Sequence, residues 1–256
     1  MAKAVGRSSR KVRDLCVAFL EGLREIIGED LIAVYLHGAA AFPKTRSDVG
    51  DVDLHVIVRK AITSPARRRI RGLQRNLAER YPRVGDDMDV WYITEKDARG
   101  RRPPRHQLNP RATDRSWALH RAHWLAGRYV LLHGAPPSEF CKPPSWPELE
   151  RGLLHELRFV ENLVRKHQAQ AYCVLNLSRI LYSLTSRNVV VSKPQAAQWA
   201  LRHLPRRHGP LIRAARHAHA GNARAEDHAV LRENTRPFLT YARDRIHLLV
   251  ARASDI

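Results

Sequence analysis

The residues of this chain best placed to do chemistry lie in two neighbouring stretches. Val34 to Ala41 reads as an apolar strand ending in a small-residue turn, and Gly50 to Val58 reads as a second strand beginning with acidic residues. Side chains alternate along a strand, so Asp51 and Asp53 share one face while Val52, Leu54 and Val56 take the other. Two carboxylates that close repel each other unless a cation sits between them. A hard divalent ion with oxygen ligands, such as Mg²⁺, suits that position. Gly38 has no Cβ, so its turn lets backbone N–H groups approach a phosphate closely, and Ala39 extends the same turn. The combination points to a metal–nucleotide site.

A third carboxylate lies downstream. Asp89 opens an apolar run, Val90 to Ile93, rich in β-branched and aromatic residues and therefore strand-like. Asp86 and Asp87 fall in the preceding turn with Gly85 and are expected to be solvated. A carboxylate beside a metal can accept the proton of an attacking hydroxyl, which is general-base work.

The spacing of Gly38-Ala39 from Asp51-Val52-Asp53-Leu54 resembles the nucleotidyltransferase signature of the DNA polymerase β superfamily. That superfamily resemblance implies that Asp89 is the third metal ligand or the general base. In the second half, Val174 to Ser183, Ser192 to Leu201, Leu204-Pro205 and His208 to Ile212 resemble the helical domain of the streptomycin–spectinomycin (aminoglycoside) adenylyltransferases. The resemblance implies an α+β molecule: an N-terminal catalytic domain with a mixed sheet and helices, then a C-terminal helical bundle covering the nucleotide. It implies Mg²⁺-dependent transfer of AMP from ATP to a hydroxyl of a small-molecule acceptor. The family's phosphate-binding Arg and Lys and its nucleotide-contacting Tyr match Arg179, Lys193 and Tyr241.

The chain departs from the family pattern in the turn, before the Asp pair and, most of all, on the substrate side. Ala39 stands where a Ser is usual, Gly50 precedes the Asp pair with Ser47-Asp48 displaced upstream, and the segment from Asp89 to Leu132 is short. The stretch where the drug-modifying enzymes supply acidic and aromatic residues reads Val164-Arg165-Lys166-His167-Gln168-Ala169-Gln170 here. Two other readings follow from these differences: a nucleotidyltransferase acting on RNA or protein, and a catalytically decayed basic nucleic-acid-binding protein.

The elements that must position these residues follow from pattern. Ser9 is placed to cap an amphipathic helix carrying Leu15, Phe19, Leu20, Leu23, Ile26 and Ile27, ending at Gly28. A second helix is expected from about Pro65 to Arg80, a third near Arg115 to Gly127, and a closing strand at Tyr129 to Leu132. Residues 1–137 form the expected catalytic domain, 138–147 a Pro-rich linker and 148–256 the helical domain, broken at Asn188 to Val191, Gly209-Pro210 and Gly221.

With 256 residues and 44% apolar content, the chain is long enough for two modest cores. No apolar run approaches the ~18 residues of a membrane span. Cys16, Cys141 and Cys173 have no metal-ligand spacing and read as reduced thiols of a cytoplasmic protein, expected to be a monomer. The net charge of +20 comes from Arg spread over both halves, so it reads as a general basic surface, with RNA as a possible partner.

The basic stretch before Arg179 generates an expectation about the acceptor. A drug guanidinium brought beside Arg165 and Lys166 meets like charge rather than a carboxylate. Streptomycin and spectinomycin are therefore expected to be poor acceptors, with kcat/KM below ~10⁴ M⁻¹s⁻¹ in steady-state kinetics. A value above that for either drug would show that other groups replace the missing carboxylates.

Overall fold

A computed structural model describes residues 10–41, 52–82, 84–86 and 88–254. The fold is α+β, in two compact units, residues 1–144 and 145–256. Ser9 and Asp51 lie outside the described residues.

The first unit is built on four strands: β1 (Leu31–Leu36), β2 (Val52–Val58), β3 (Met88–Thr94) and β4 (Val130–Gly134). Their order in the sheet is β3-β2-β1-β4. β1 runs antiparallel to β2 and to β4, whereas β2 and β3 run parallel. The parallel pair needs a crossover, and α2 (Ser64–Arg80) supplies it. Thr63 caps that helix by accepting from the Ala66 N–H, and Pro65 occupies its first turn, where a missing N–H costs nothing.

The two central strands are apolar almost throughout because both faces of the sheet are covered. Val52, Leu54, Val56 and Val58 pack with Leu15, Phe19, Leu20 and Leu23 of α1 (Arg10–Ile27) and with Ile70 and Leu77 of α2. The opposite face carries Ala33, Tyr35, Ile57 and Ile93 under an aromatic layer of Trp117, Trp124 and Phe140. Both tryptophans come from α4 (Trp117–Leu125), a short helix that follows α3 (Glu95–Arg99) and an irregular stretch. Arg121 of α4 is fully buried beneath this layer, where its guanidinium donates to the Lys142 carbonyl. Part of the segment expected to be a linker is therefore packed: Phe140 and Cys141 are buried, and Pro147 lies in the first turn of the next helix. Prolines stiffen that stretch, but Phe140 has a core to enter.

The second unit is helical: α5 (Trp146–Leu163), α6 (Gln170–Ser186), α7 (Lys193–His203), α8 (Gly209–His219) and α9 (Ala225–Ser254). Breaks fall at the expected Asn188 to Val191 and Gly221, but Gly209-Pro210 opens α8 instead, and the chain breaks just before it, between the end of α7 at His203 and Gly209. α6 ends on Arg187 in the left-handed conformation, φ 51°, with its guanidinium 4.6 Å over the Trp146 ring. Ser192 and Gln195 form a reciprocal capping box, so α7 begins at Lys193 with Pro194 in its first turn. No helix of the described residues is long and apolar enough to cross a membrane.

Two glycines allow a direct test of the sheet edge. Gly134 has φ +76°, and a Cβ there would run into the Ile32 backbone of β1; Gly127 has φ +73° with open space around it. Gly127→Ala is expected to cost only the left-handed strain of about 1–2 kcal/mol. Gly134→Ala should cost clearly more, because the β1–β4 pairing must also shift. Urea denaturation of the two variants checks the difference; equal losses would mean that the edge strand yields freely.

Candidate active site

The register of β2 against β3 places Asp53 directly opposite Asp89. Partners in a parallel ladder project to the same face from strands about 4.8 Å apart, so the two carboxylates sit side by side. Asp89 is exposed and Asp53 half-buried at the edge of the aromatic layer. Leu54 and Val90, the next pair along, turn to the opposite face and lock the register through burial.

The turn after β1 closes over Asp53. Gly38 has φ +62°, a conformation that favours glycine, and a Cβ built there would occupy the space of the Asp53 carboxylate. The adjacent His37 N–H donates to the Asp53 carbonyl at 2.9 Å, tying turn to strand. Ala39 follows in a short 3₁₀ turn, Gly38–Ala41, and is exposed. This cradle fits the expected Mg²⁺: oxygen donors stand together, and a position without a Cβ lies against one of them. Asp53 and Asp89 would hold such an ion, with Asp51 as the expected additional ligand.

The structure also assembles a group that sequence patterns did not single out. His55 follows Asp53 on the same face of β2 and is fully buried, as is Asp114; His120 of α4 is mostly covered. His55 Nδ1 and His37 Nε2 lie 2.8 Å apart. His120 Nδ1 is 2.9 Å from Asp114 Oδ2, and His55 Nε2 is 3.5 Å from that same oxygen. Asp114 Oδ1 accepts from the Ser116 N–H at 3.0 Å, just before α4 begins. Trp124 and Trp117 stand over the His55 ring at centroid distances of 4.9 and 6.1 Å.

Burial dominates the protonation of this group. Loss of water lowers His55 to about 4, the pull of Asp114 only partly opposing it. His37 is lowered further, by burial and then by the neighbouring imidazoles. Burial pushes the Asp114 carboxyl up, but His120 and His55 outweigh it and hold the pKa below the ordinary carboxylate range. His37 and His55 are thus neutral at pH 7, and Asp114 is ionised. The only sequence sign of the group is His55 in the period-two register of Asp53; Asp114 and His120 lie about sixty residues further on, in the segment with the weakest family resemblance.

In the second unit, Arg179 and Lys193 come to one side of α6. Tyr172, Asn176 and Arg179 recur at helical spacing; Lys193 Nζ lies 4.3 Å from the Tyr172 ring centroid, and Arg179 donates to Asn176 Oδ1 at 3.3 Å. Both cations are half-buried. Tyr241 of α9 packs elsewhere, its ring 4.6 Å from His208 and 5.7 Å from the Arg207 guanidinium.

Residues 151–245 match the family model of the aminoglycoside adenylyltransferase C-terminal domain. No curated protein matches the chain in sequence. Among solved structures, the fold is similar to spectinomycin adenyltransferase AAD(9) from Enterococcus faecialis, determined with ATP and spectinomycin. The TM-score is 0.72 at 13% identity, over 92% of this chain and 99% of that one. The helical C-terminal unit is thus similar to that domain of the aminoglycoside adenylyltransferases, and the chain as a whole shares the fold of the spectinomycin adenyltransferase structure.

The placement of Arg179 and Lys193 generates a binding test. ATP with Mg²⁺ is expected to raise the melting temperature, since a ligand of the native state at a hundred times its dissociation constant adds about 2.7 kcal/mol. Arg179→Ala and Lys193→Ala should each reduce that rise in thermal-shift measurements. A full rise in both variants would remove these residues from the nucleotide site.

Proposed function

We propose that this protein transfers AMP from ATP to a hydroxyl of a small acceptor of the aminoglycoside class, using Mg²⁺. The observation that carries this reading is the pairing of Asp53 with Asp89 under the Gly38 turn. A Mg²⁺ ion, which Asp53 and Asp89 would hold, would offset the charge that develops on the phosphate during transfer. Asp89, the more exposed carboxylate, accepts the proton of the attacking hydroxyl. The N–H groups of the Gly38–Ala41 turn supply phosphate donors that do not depend on the Ser usual at position 39. Arg179 and Lys193 bind phosphate oxygens, and Tyr241 contacts the nucleotide. Adenylyl transfer is supported by the C-terminal family match and by the ATP-bound structural neighbour.

The acceptor reading rests on charge. Arg165 and Lys166 are exposed in the turn between α5 and α6, and this disfavours a guanidinium-bearing acceptor. Spectinomycin, which lacks guanidinium groups, should therefore be less disfavoured than streptomycin. Three buried free thiols, Cys16, Cys141 and Cys173, suit a reducing compartment such as the cytoplasm.

The test is transfer of label from α-labelled ATP to a panel of aminoglycosides, spectinomycin and tRNA, with and without Mg²⁺. Asp53→Asn is expected to lower the rate at least a hundredfold with little loss in melting temperature, since one of two repelling charges is removed. Gly38→Ala should lower it similarly by crowding the carboxylate. Activity of Asp53→Asn within a few-fold of wild type would overturn the assignment, and label appearing only on tRNA would move the acceptor to RNA.

A further inference from the structure

His55, Asp114 and His120 reach one small space from three parts of the first unit: strand β2, the irregular stretch before α4, and α4 itself. We infer that these three side chains form a binding site for a first-row transition-metal ion of the zinc type, separate from the Asp53–Asp89 pair. One donor atom from each lies within 4.8 Å of the others. Zinc–nitrogen and zinc–oxygen bonds of about 2.0–2.1 Å place tetrahedral partners about 3.3 Å apart. The 3.5 Å between His55 Nε2 and Asp114 Oδ2 is close to such an edge. It is long for a hydrogen bond, and His55 Nε2, fully buried, makes none. An imidazole nitrogen buried without a partner is costly unless something else fills the space it faces.

The surroundings are those of a ligand set. His55 Nδ1 is held by His37 at 2.8 Å, which orients the ring and turns Nε2 inward. Asp114 Oδ1 is taken by the Ser116 N–H at 3.0 Å, leaving Oδ2 toward the two imidazoles. His120 swings only a short way to exchange its 2.9 Å contact with Asp114 for a shared ion. The tryptophans of α4 supply an apolar wall. Two imidazoles and one carboxylate favour zinc, cobalt or nickel over magnesium, which prefers oxygen donors. Three protein ligands leave a fourth position for water. The ion would tie the segment from Asp114 to His120 onto β2, two residues from the carboxylate pair.

The experiment uses the full chain, stripped with a chelator and titrated with Zn²⁺ or Co²⁺ in excess Mg²⁺. Calorimetry should give about one tight equivalent, and Co²⁺ should give the intense visible absorption of a four-coordinate nitrogen–oxygen site. His120→Ala, altered at a partly exposed ligand, should bind at least tenfold more weakly. His37→Ala, altered outside the ligand set, should lose about 10–100-fold. Asp53→Asn should bind as wild type does, which separates this site from the carboxylate pair. A weak six-coordinate cobalt spectrum in the wild-type protein overturns the inference without any variant. Binding undiminished in His120→Ala, or abolished in Asp53→Asn, does so as well.

Discussion

Two like charges held together are the constraint on which the first unit is organised. Asp53 and Asp89 are brought opposite each other by the parallel pairing of β2 with β3. Neither can leave without a slip of register, and a slip by one residue would carry Leu54 and Val90 out of the core. The apolar face of the sheet, packed against α1 and α2, thus holds the polar pair in place. Repulsion between the carboxylates is tolerated because Asp89 is open to solvent, and it becomes useful when a divalent cation arrives. Gly38 completes the arrangement by leaving out the one atom group that would exclude the Asp53 carboxylate.

The face carrying those carboxylates changes character within one strand. Asp53 is at its polar end, His55 is buried under tryptophan two residues later, and Ile57 is in an apolar layer two residues after that. Such a gradient needs a cover that is itself mixed, and α4 provides it with Trp117 and Trp124 beside His120. Buried polar groups are costly without partners, and His37 and Asp114, the latter paired with His120, converge on the His55 ring, with His37 holding its Nδ1. Arg121 follows the same rule by donating to the Lys142 carbonyl.

The second unit handles charge differently. Its cations are numerous, and most are solvated, but Lys193 and Arg179 are placed by contacts to Tyr172 and Asn176 on a single helix. A cation held over an aromatic ring keeps its charge while giving up part of its water, so its readiness to meet an anion is retained. The capping box of Ser192 with Gln195 fixes the α7 start, and with it the position of Lys193 in the first turn. Tyr241 shows the limit of this reasoning, since His208 and Phe238 occupy much of its surroundings.

Local patterns were enough to determine the α+β class, the helix beginning near Arg10, the strands around Asp53 and Asp89, and the helical second half. Each depends on periodicity, turn residues or capping within a few positions, and the resemblance carried by Leu177-Ser178-Arg179-Ile180 and Ser192-Lys193-Pro194 added the enzyme class. Tertiary structure alone decided which strand neighbours which, and hence that Asp89 stands opposite Asp53 rather than elsewhere along the sheet edge. It also decided that Phe140 is core, because its burial within a Pro-rich stretch depends on a distant tryptophan layer. The cluster of His37, His55, Asp114 and His120 was illegible for the same reason. Its members span more than eighty residues with no shared spacing, and only the packing of α4 on β2 makes them neighbours.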